Sequence, residues 1–260
     1  MNLTFTFLGT GTSQGIPMIA CDCFICTSSD PRDKRLRTSG LLRSDEGCVV
    51  FDTGPDFREQ MLREKVKGLD AVVFTHQHKD HTAGLDDVRA FNYFQHRDMP
   101  VFGTPAVHDH LRREFYYIFE AKDYPGIPKL DLQEIDPERP FEIKDMRLTP
   151  IPMLHGKLPV LGYRCGDFAY LTDVNHIPDS SYNLLEGVKC VVISALRHQT
   201  HYSHFTLEEA LEALERMQPE QAYLTHISHQ LGAHAEVEKL LPPHVKVGYD
   251  GLTLDLSQWS

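Results

Sequence analysis

No apolar run in this 260-residue chain approaches the roughly 18 residues of a membrane span, so no transmembrane helix is expected. The start, Met1 to Thr10, has neither a basic region nor a long apolar stretch. No signal peptide is therefore expected, and the expected compartment is the cytoplasm. Basic residues are outnumbered, 26 Lys+Arg against 37 Asp+Glu, for a formal net charge of −11. That balance disfavours wrapping a nucleic-acid backbone, which calls for a basic face. There is no low-complexity tract, no repeat of fixed short period and no dividing linker, so one domain over 1–260 is expected. Paired disulfides are rare in the cytoplasm, and a chain this long buries roughly 75% of its unfolded surface without them. Histidine is absent before His76, although the chain has 15. Such an excess in an acidic chain points to metal binding, since neutral imidazole is a common ligand at physiological pH.

Asn2 to Leu8 alternates polar and apolar residues and predicts a half-buried strand. Cys48 to Asp52 and Ala71 to Thr75 are apolar runs that predict buried strands, with a helix over Pro55 to Val66 between them. Helices are predicted at Thr82 to Phe94 and Pro105 to Glu120, around a short strand at Val101 to Gly103. Lys122 to Pro140, rich in Pro and Asp, reads as loop. The second half predicts strands at Met146 to Met153, Val160 to Cys165, Phe168 to Thr172, Cys190 to Ser194, Ala222 to Thr225 and Val245 to Tyr249. Helices fit Thr206 to Met217, where Thr206 and Glu209 form a capping box, and Ala233 to Leu241. Strands outnumber helices and often follow one another directly, which argues for two mixed sheets with helices outside.

The densest chemistry is His76-Gln77-His78-Lys79-Asp80-His81, at the end of the Ala71 to Thr75 run. Residues i and i+2 of an extended chain point to one side, so His76 and His78 can chelate one ion. Asp80 and His81 follow where the chain turns, and can serve a second. One segment cannot complete two coordination spheres. His155, Asp173 and His226 each end a predicted strand and are the candidates to complete them. Cys21, Cys23 and Cys26 form a second cluster of soft ligands, too tight for ordinary core packing. A tetrahedral zinc site wants one more donor, and His229, three residues after His226, is the candidate. Cys48, Cys165 and Cys190 lie in apolar runs and read as buried inert thiols.

The His-x-His-x-Asp-His segment, the Pro-x-x-His-Gly segment ending in His155 and Gly156, the strand-ending Asp173 and the strand-ending His226 resemble the metallo-β-lactamase superfamily, in its order. That resemblance implies an αββα sandwich, an α+β fold with two mixed sheets packed face to face. It implies that His76, His78 and His155 hold one metal, that Asp80, His81 and His226 hold the second, and that Asp173 bridges them. Asp52 matches the superfamily's Asp that orients ligands without binding metal. The Cys21–Cys26 knuckle, the Gly9 to Gly15 loop, the Thr225-His226-Ile227-Ser228-His229-Gln230 segment and Tyr249-Asp250-Gly251 are similar to the PhnP branch of phosphoribosyl 1,2-cyclic phosphate phosphodiesterases. The match is weakest from about Thr104 to Lys144, whose aromatics Phe115 to Phe119 read as helix packing.

The implied activity is hydrolysis of a small cyclic or nucleoside phosphodiester. Two divalent ions (Zn, Mn or Fe) supply hydroxide, with one structural Zn in the knuckle. Asp80 is the expected proton handler. His204 is the best match for the general acid, with His201 and His198 on the same loop. Arg197 could meet a terminal phosphate, and the Gly9 to Gly15 loop could offer backbone N–H groups to an anion. The expected partner is a small-molecule phosphodiester, with no membrane, nucleic acid disfavoured by charge, and a homodimer as the candidate assembly. A tRNA-processing nuclease of the same superfamily would need a Lys/Arg-rich arm that the sequence does not contain. A pyrroloquinoline quinone biosynthesis protein B-like metalloprotein is the other alternative, against which Asp80 counts.

Overall fold

A computed structural model describes residues 2–120 and 126–259. The first half supplies β1 (Thr4–Gly9), β2 (Ser39–Arg43), β3 (Cys48–Phe51), β4 (Ala71–Val73), β5 (Met99–Gly103) and β6 (Leu130–Glu134). The second supplies β7 (Phe141–Ile143), β8 (Met146–His155), β9 (Leu158–Cys165), β10 (Phe168–Leu171), β11 (Cys190–Ser194), β12 (Gln221–Thr225), β13 (Val245–Val247) and β14 (Thr253–Asp255). They form two seven-stranded sheets, ordered β14-β1-β2-β3-β4-β5-β6 and β13-β12-β11-β10-β9-β8-β7.

Both sheets follow one plan. Four strands pair antiparallel, β14-β1-β2-β3 in one and β7-β8-β9-β10 in the other, and three more then join in parallel. Asp52, just after β3, and Asp173, just after β10, therefore occupy matching places.

Alternation along the strands builds the layers. Phe5, Phe7, Phe51 and Val73 of the first sheet meet Tyr163, Phe168, Tyr170 and Val192 of the second. Phe51 stacks on Tyr163 and Tyr170, with ring centroids 5.5 and 5.2 Å apart. The alternate residues Leu8, Leu41, Val50 and Val72 face outward, onto Phe57, Leu85 and Leu111. Val191 and Ile193 do the same onto Ala210 and Leu214 of the helix Leu207–Met217. Strands buried on both faces need continuous apolar runs, which is why Cys48–Phe51 and Cys190–Ser194 do not alternate in polarity. The result is the αββα sandwich that the sequence predicts.

Several elements differ from expectation. Part of the predicted 122–140 loop is strand β6, a half-exposed edge whose only apolar residues are Leu130 and Leu132, so its signal is faint; residues 122–125 of that stretch lie outside the described residues. The predicted Thr82 to Phe94 helix is three pieces, Lys79–Thr82, a 3-10 turn at Leu85–Val88 and Arg89–Gln95. It breaks at Gly84, whose N–H donates to Thr53 O instead of continuing a helical ladder. The Pro105 to Glu120 helix divides at Phe115. The short strands β2, β7 and β14 and the helix Asp179–Leu184 had no predicted counterpart. The capping box of Thr206 and Glu209 forms as predicted. Among the described residues, no helix is long and apolar enough to cross a membrane.

Candidate metal centre

The chain leaves β4 extended through Thr75 to His78, then starts the helix Lys79–Thr82 with His78 at its N-cap. His76 and His78 thus come from the extended part, and Asp80 and His81 from the first helical turn. The Asp52-Thr53-Gly54 exit from β3 packs against this turn backbone to backbone. Thr53 N donates to His81 O at 2.7 Å, and Gly84 N to Thr53 O at 2.8 Å. A side chain would not fit at this crossing. A Cβ at Gly54 would lie 2.2 Å from Asp80 O, and one at Gly84 would lie 2.1 Å from Gly54 O. Asp52 (φ 62°) and His226 (φ 54°) both adopt left-handed backbone, an uncommon state for non-glycine residues that is frequent at functional sites.

All seven sequence-predicted ligands meet at this edge of the sandwich. Donor atoms of His76, His78 and His155 converge within 4.8 Å of one another, as do those of Asp80, His81, Asp173 and His226. Asp173 Oδ2 joins the two sets. It lies 3.1 Å from His226 Nε2, 3.3 Å from His81 Nε2 and 3.9 Å from His76 Nε2. Asp80 Oδ2 lies 3.4 Å from His81 Nε2 and 3.6 Å from His226 Nε2. Metal bonds of about 2.0–2.2 Å in a tetrahedral site put donors roughly 3.3–3.6 Å apart, so the second set has the right spacing. Nε2 of His76, His81 and His226 is buried without a hydrogen-bond partner. Buried polar atoms are rarely left unpaired, and a divalent cation between these nitrogens and the carboxylates would satisfy them.

The Nδ1 atoms of His81, His155 and His76 are held from behind. His81 Nδ1–H donates to Asp52 Oδ2 at 2.7 Å, and His155 Nδ1–H to Ser203 O at 2.6 Å. Asp52 Oδ1 accepts from Thr75 N at 2.9 Å, and the Thr75 hydroxyl bonds both Asp52 and, at 3.0 Å, Nδ1 of His76. One fully buried carboxylate thus sets the orientation of His81 directly and of His76 through Thr75. Burial works to raise the Asp173 carboxyl, but His226 and His81 hold it well below the usual range. Burial and the neighbouring His81 push His76 well below the ordinary imidazole value. Against burial, Asp173, Asp52 and Asp80 raise His81 well above it.

The cysteine cluster closes on His229 as the sequence predicts. Cys21, Cys23 and Cys26 place Sγ at 3.4, 3.3 and 3.5 Å from His229 Nδ1. Zinc bonds of about 2.3 Å to sulfur and 2.0–2.1 Å to nitrogen imply a tetrahedral S···N edge of roughly 3.5 Å, so this donor set also fits. The knuckle is joined to the first centre by backbone. Thr12 N donates to Ile227 O at 3.0 Å and Ile227 N to Thr10 O at 2.8 Å, between His226 and His229.

A cavity of about 300 Å³ opens over the centre, lined by His78, Asp80, His155, Asp173, Thr12 and Ser13, with the 201–204 loop along one wall. His204 is buried, with its ring 4.4 Å from that of His155 and 4.6 Å from that of His226. Burial pushes its pKa down to about 2. His201 is farther out, its ring 5.1 Å from that of His204. His198 does not join the cavity; its Nε2–H donates to Leu231 O. Arg197 donates to Gln199 O, Thr200 O and Gln230 Oε1 and is not part of the cavity lining. Sequence reasoning missed Thr75, Ser203 and Asn175, whose amide accepts from Gly156 N at 2.6 Å. A main-chain carbonyl such as Ser203 O has no residue-type signature, so only the fold reveals it. Thr75 carried one signal, its place beside His76.

Residues 48–227 match the Beta-lactamase superfamily domain. The crystal structure of a diphosphatase from the PhnP family superimposes with a TM-score of 0.91 at 40% identity, covering 98% of this chain and 97% of that one. Zn(2+)-bound PqqB from Methylobacterium extorquens superimposes with a TM-score of 0.81 at 18% identity, over 97% of this chain and 100% of that one, a likeness of fold alone. An octanoyltransferase of Porphyromonas gingivalis is 40% identical over 247 residues, 94% of this chain and 50% of that protein. The chain spans about half the length of the curated relatives it matches. The transferase name therefore describes a protein twice as long as the matched part.

Proposed function

The chain belongs to the metallo-β-lactamase superfamily of metal-dependent hydrolases, in its PhnP-like branch, and on that premise we propose that it hydrolyses a small phosphodiester at a dinuclear metal centre. The observation that carries the reading is Asp173 Oδ2, set between buried, unpartnered imidazole nitrogens of both donor sets beside an open cavity. In this reading His76, His78 and His155 hold one ion, Asp80, His81 and His226 the other, and Asp173 is shared. Cys21, Cys23, Cys26 and His229 hold a structural zinc. When bound, two divalent ions supply Lewis acidity and lower the pKa of water in the site.

The residues of the chain do the rest. Asp80, half-buried at the cavity, takes the proton of the attacking water as the new P–O bond forms. The bond from phosphorus to the leaving sugar oxygen breaks, and that oxygen receives a proton from His204, a contribution worth about 10²–10⁴ in rate; burial keeps the free imidazole neutral, so His204 carries that proton only with the anionic phosphodiester bound beside it. The hydroxyls of Thr12 and Ser13 orient the phosphoryl oxygens on the opposite wall. Asp52 and Ser203 O keep the ligand imidazoles in their working tautomers. A diphosphatase within the same branch fits this arrangement, because a substituted diphosphate presents a phosphorus with the same two bridging oxygens.

The test is a panel of bis-p-nitrophenyl phosphate, 2′,3′-cyclic nucleotides, a substituted diphosphate, a thioester and a β-lactam, offered to metal-loaded protein. Turnover confined to the phosphorus substrates is the expected result. Turnover of the thioester or the lactam alone would refute the proposal.

A further inference from the structure

The loop from Arg197 to His204 is held firmly, yet it leaves one large aromatic in solvent. Arg197 ties the loop to itself and to Gln230 through bonds of 2.9–3.0 Å. Asn175 Nδ2 donates to Tyr202 O, and Ser203 O accepts from His155 Nδ1–H. Between these anchors Tyr202 is 83% exposed, and among the described residues its hydroxyl has no hydrogen-bond partner. A mobile loop would explain such exposure; a loop with this many anchors does not.

The ring stands at the mouth of the cavity that holds His78, Asp80, His155 and Asp173. It is backed on one side. A Cβ added at Gly156 would lie 3.6 Å from the ring, and the His201 ring lies 4.9 Å away, tilted by 34°. Among the described residues, the other exposed aromatics, Phe24, Tyr93, Phe94 and Tyr116, do not line this cavity.

We propose that Tyr202 is a specificity-determining platform on which a planar aromatic group of the substrate stacks, so that the substrate is a nucleotide-type phosphodiester or substituted diphosphate. The inference rests on the hydrolase reading above for the placement of the phosphate, and adds what lies beyond it. The phosphorus sits over the donor sets, and the base extends outward along the loop onto the ring. Stacking on one aromatic residue strengthens binding by about tenfold and tolerates any base, because every base has a π-face.

Calorimetric titration of metal-loaded wild type, Tyr202→Phe and Tyr202→Ala with AMP and with ribose 5-phosphate tests it. Wild type and Tyr202→Phe should bind AMP about tenfold tighter than the base-free ligand, and Tyr202→Ala should close that gap. Equal affinities for the two ligands in wild type, or a gap that survives Tyr202→Ala, overturns the proposal. Being exposed, Tyr202 can be truncated without unfolding the chain, which the thermal midpoint confirms. Binding is read without turnover, so the two readings fail separately. A base-dependent gap in a protein that hydrolyses no diester refutes the hydrolase reading alone. Diester turnover with no gap refutes the platform alone.

Discussion

Asp52→Asn is the most informative single change at the centre, because one buried carboxylate governs two imidazoles. In wild type its oxygens accept from Thr75 N, the Thr75 hydroxyl and His81 Nδ1–H, at 2.9, 2.9 and 2.7 Å. An asparagine can keep its oxygen on Thr75 N only by turning its NH₂ toward Thr75 Oγ1 and His81 Nδ1. His81 Nδ1 must then accept, which moves its proton to Nε2, the atom that faces Asp80 and Asp173. The Thr75 hydroxyl, now an acceptor from the amide, donates to His76 Nδ1 and moves that ring's proton to Nε2 as well. Both imidazoles would present a proton where a metal needs a lone pair. Loss of such an orienting partner typically costs about 10–100-fold in metal affinity, and each of the two ions, holding one affected ring, should bind more weakly by about that factor. The metal-free protein should respond in the opposite sense. Burial raises the Asp52 pKa first and foremost, with His81 pulling it back, so a neutral amide removes a buried charge and the apo thermal midpoint should hold or rise. Competition titration against a chelator reads the affinity, and long-range ¹H–¹⁵N correlation of the imidazoles reads the tautomers. Affinity within about threefold of wild type, against the 10–100-fold expected, or unchanged tautomers, would refute this chain of reasoning.

Cys23→Ser should bind one zinc fewer per chain and lose about 4 kcal/mol if free zinc stands a thousandfold above Kd, or roughly 8–16 °C in thermal midpoint for a chain of this size; an unshifted midpoint removes the structural role. His204→Ala should slow hydrolysis of poor leaving groups by about 10²–10⁴ and spare activated aryl esters, and equal losses across a leaving-group series argue against its acid role. Burial pushes the Asp250 carboxyl up to about 6, so the folded chain binds that proton more tightly than the unfolded one. Wild type should therefore lose stability relative to Asp250→Asn as pH rises from about 4 to about 7, and parallel pH–stability profiles of the two proteins would contradict this.

The parts of the site that were legible in the sequence are those where side chains of unusual type crowd a strand end. His76, His78, Asp80 and His81 share one turn, and the knuckle packs three thiols into Cys21–Cys26. His155, Asp173 and His226 were readable because each ends or closely follows a largely apolar strand. Asp52 and the shared role of Asp173 came from resemblance, and the repeated plan of the two sheets supplies a physical account of their matching places. Strand β6 was lost to its Pro- and Asp-rich surroundings, since an edge strand with two half-buried leucines leaves little pattern. The break at Gly84 was invisible because its cause, the Thr53 carbonyl that accepts from Gly84 N–H, lies 31 residues away in the chain. Thr12, Ser13 and Tyr202 are common surface residue types, and only the folded loops bring them to the cavity.

The proposed function requires a dinuclear centre that hydrolyses phosphodiesters, beside a separate structural zinc. The most direct measurement follows bis-p-nitrophenyl phosphate turnover and bound metal together as ions are returned stepwise to stripped protein. Full rate is expected only when the two His/Asp donor sets and the cysteine set are all filled, at three ions per chain. Full rate with a single ion bound, or no turnover at full loading, would contradict it.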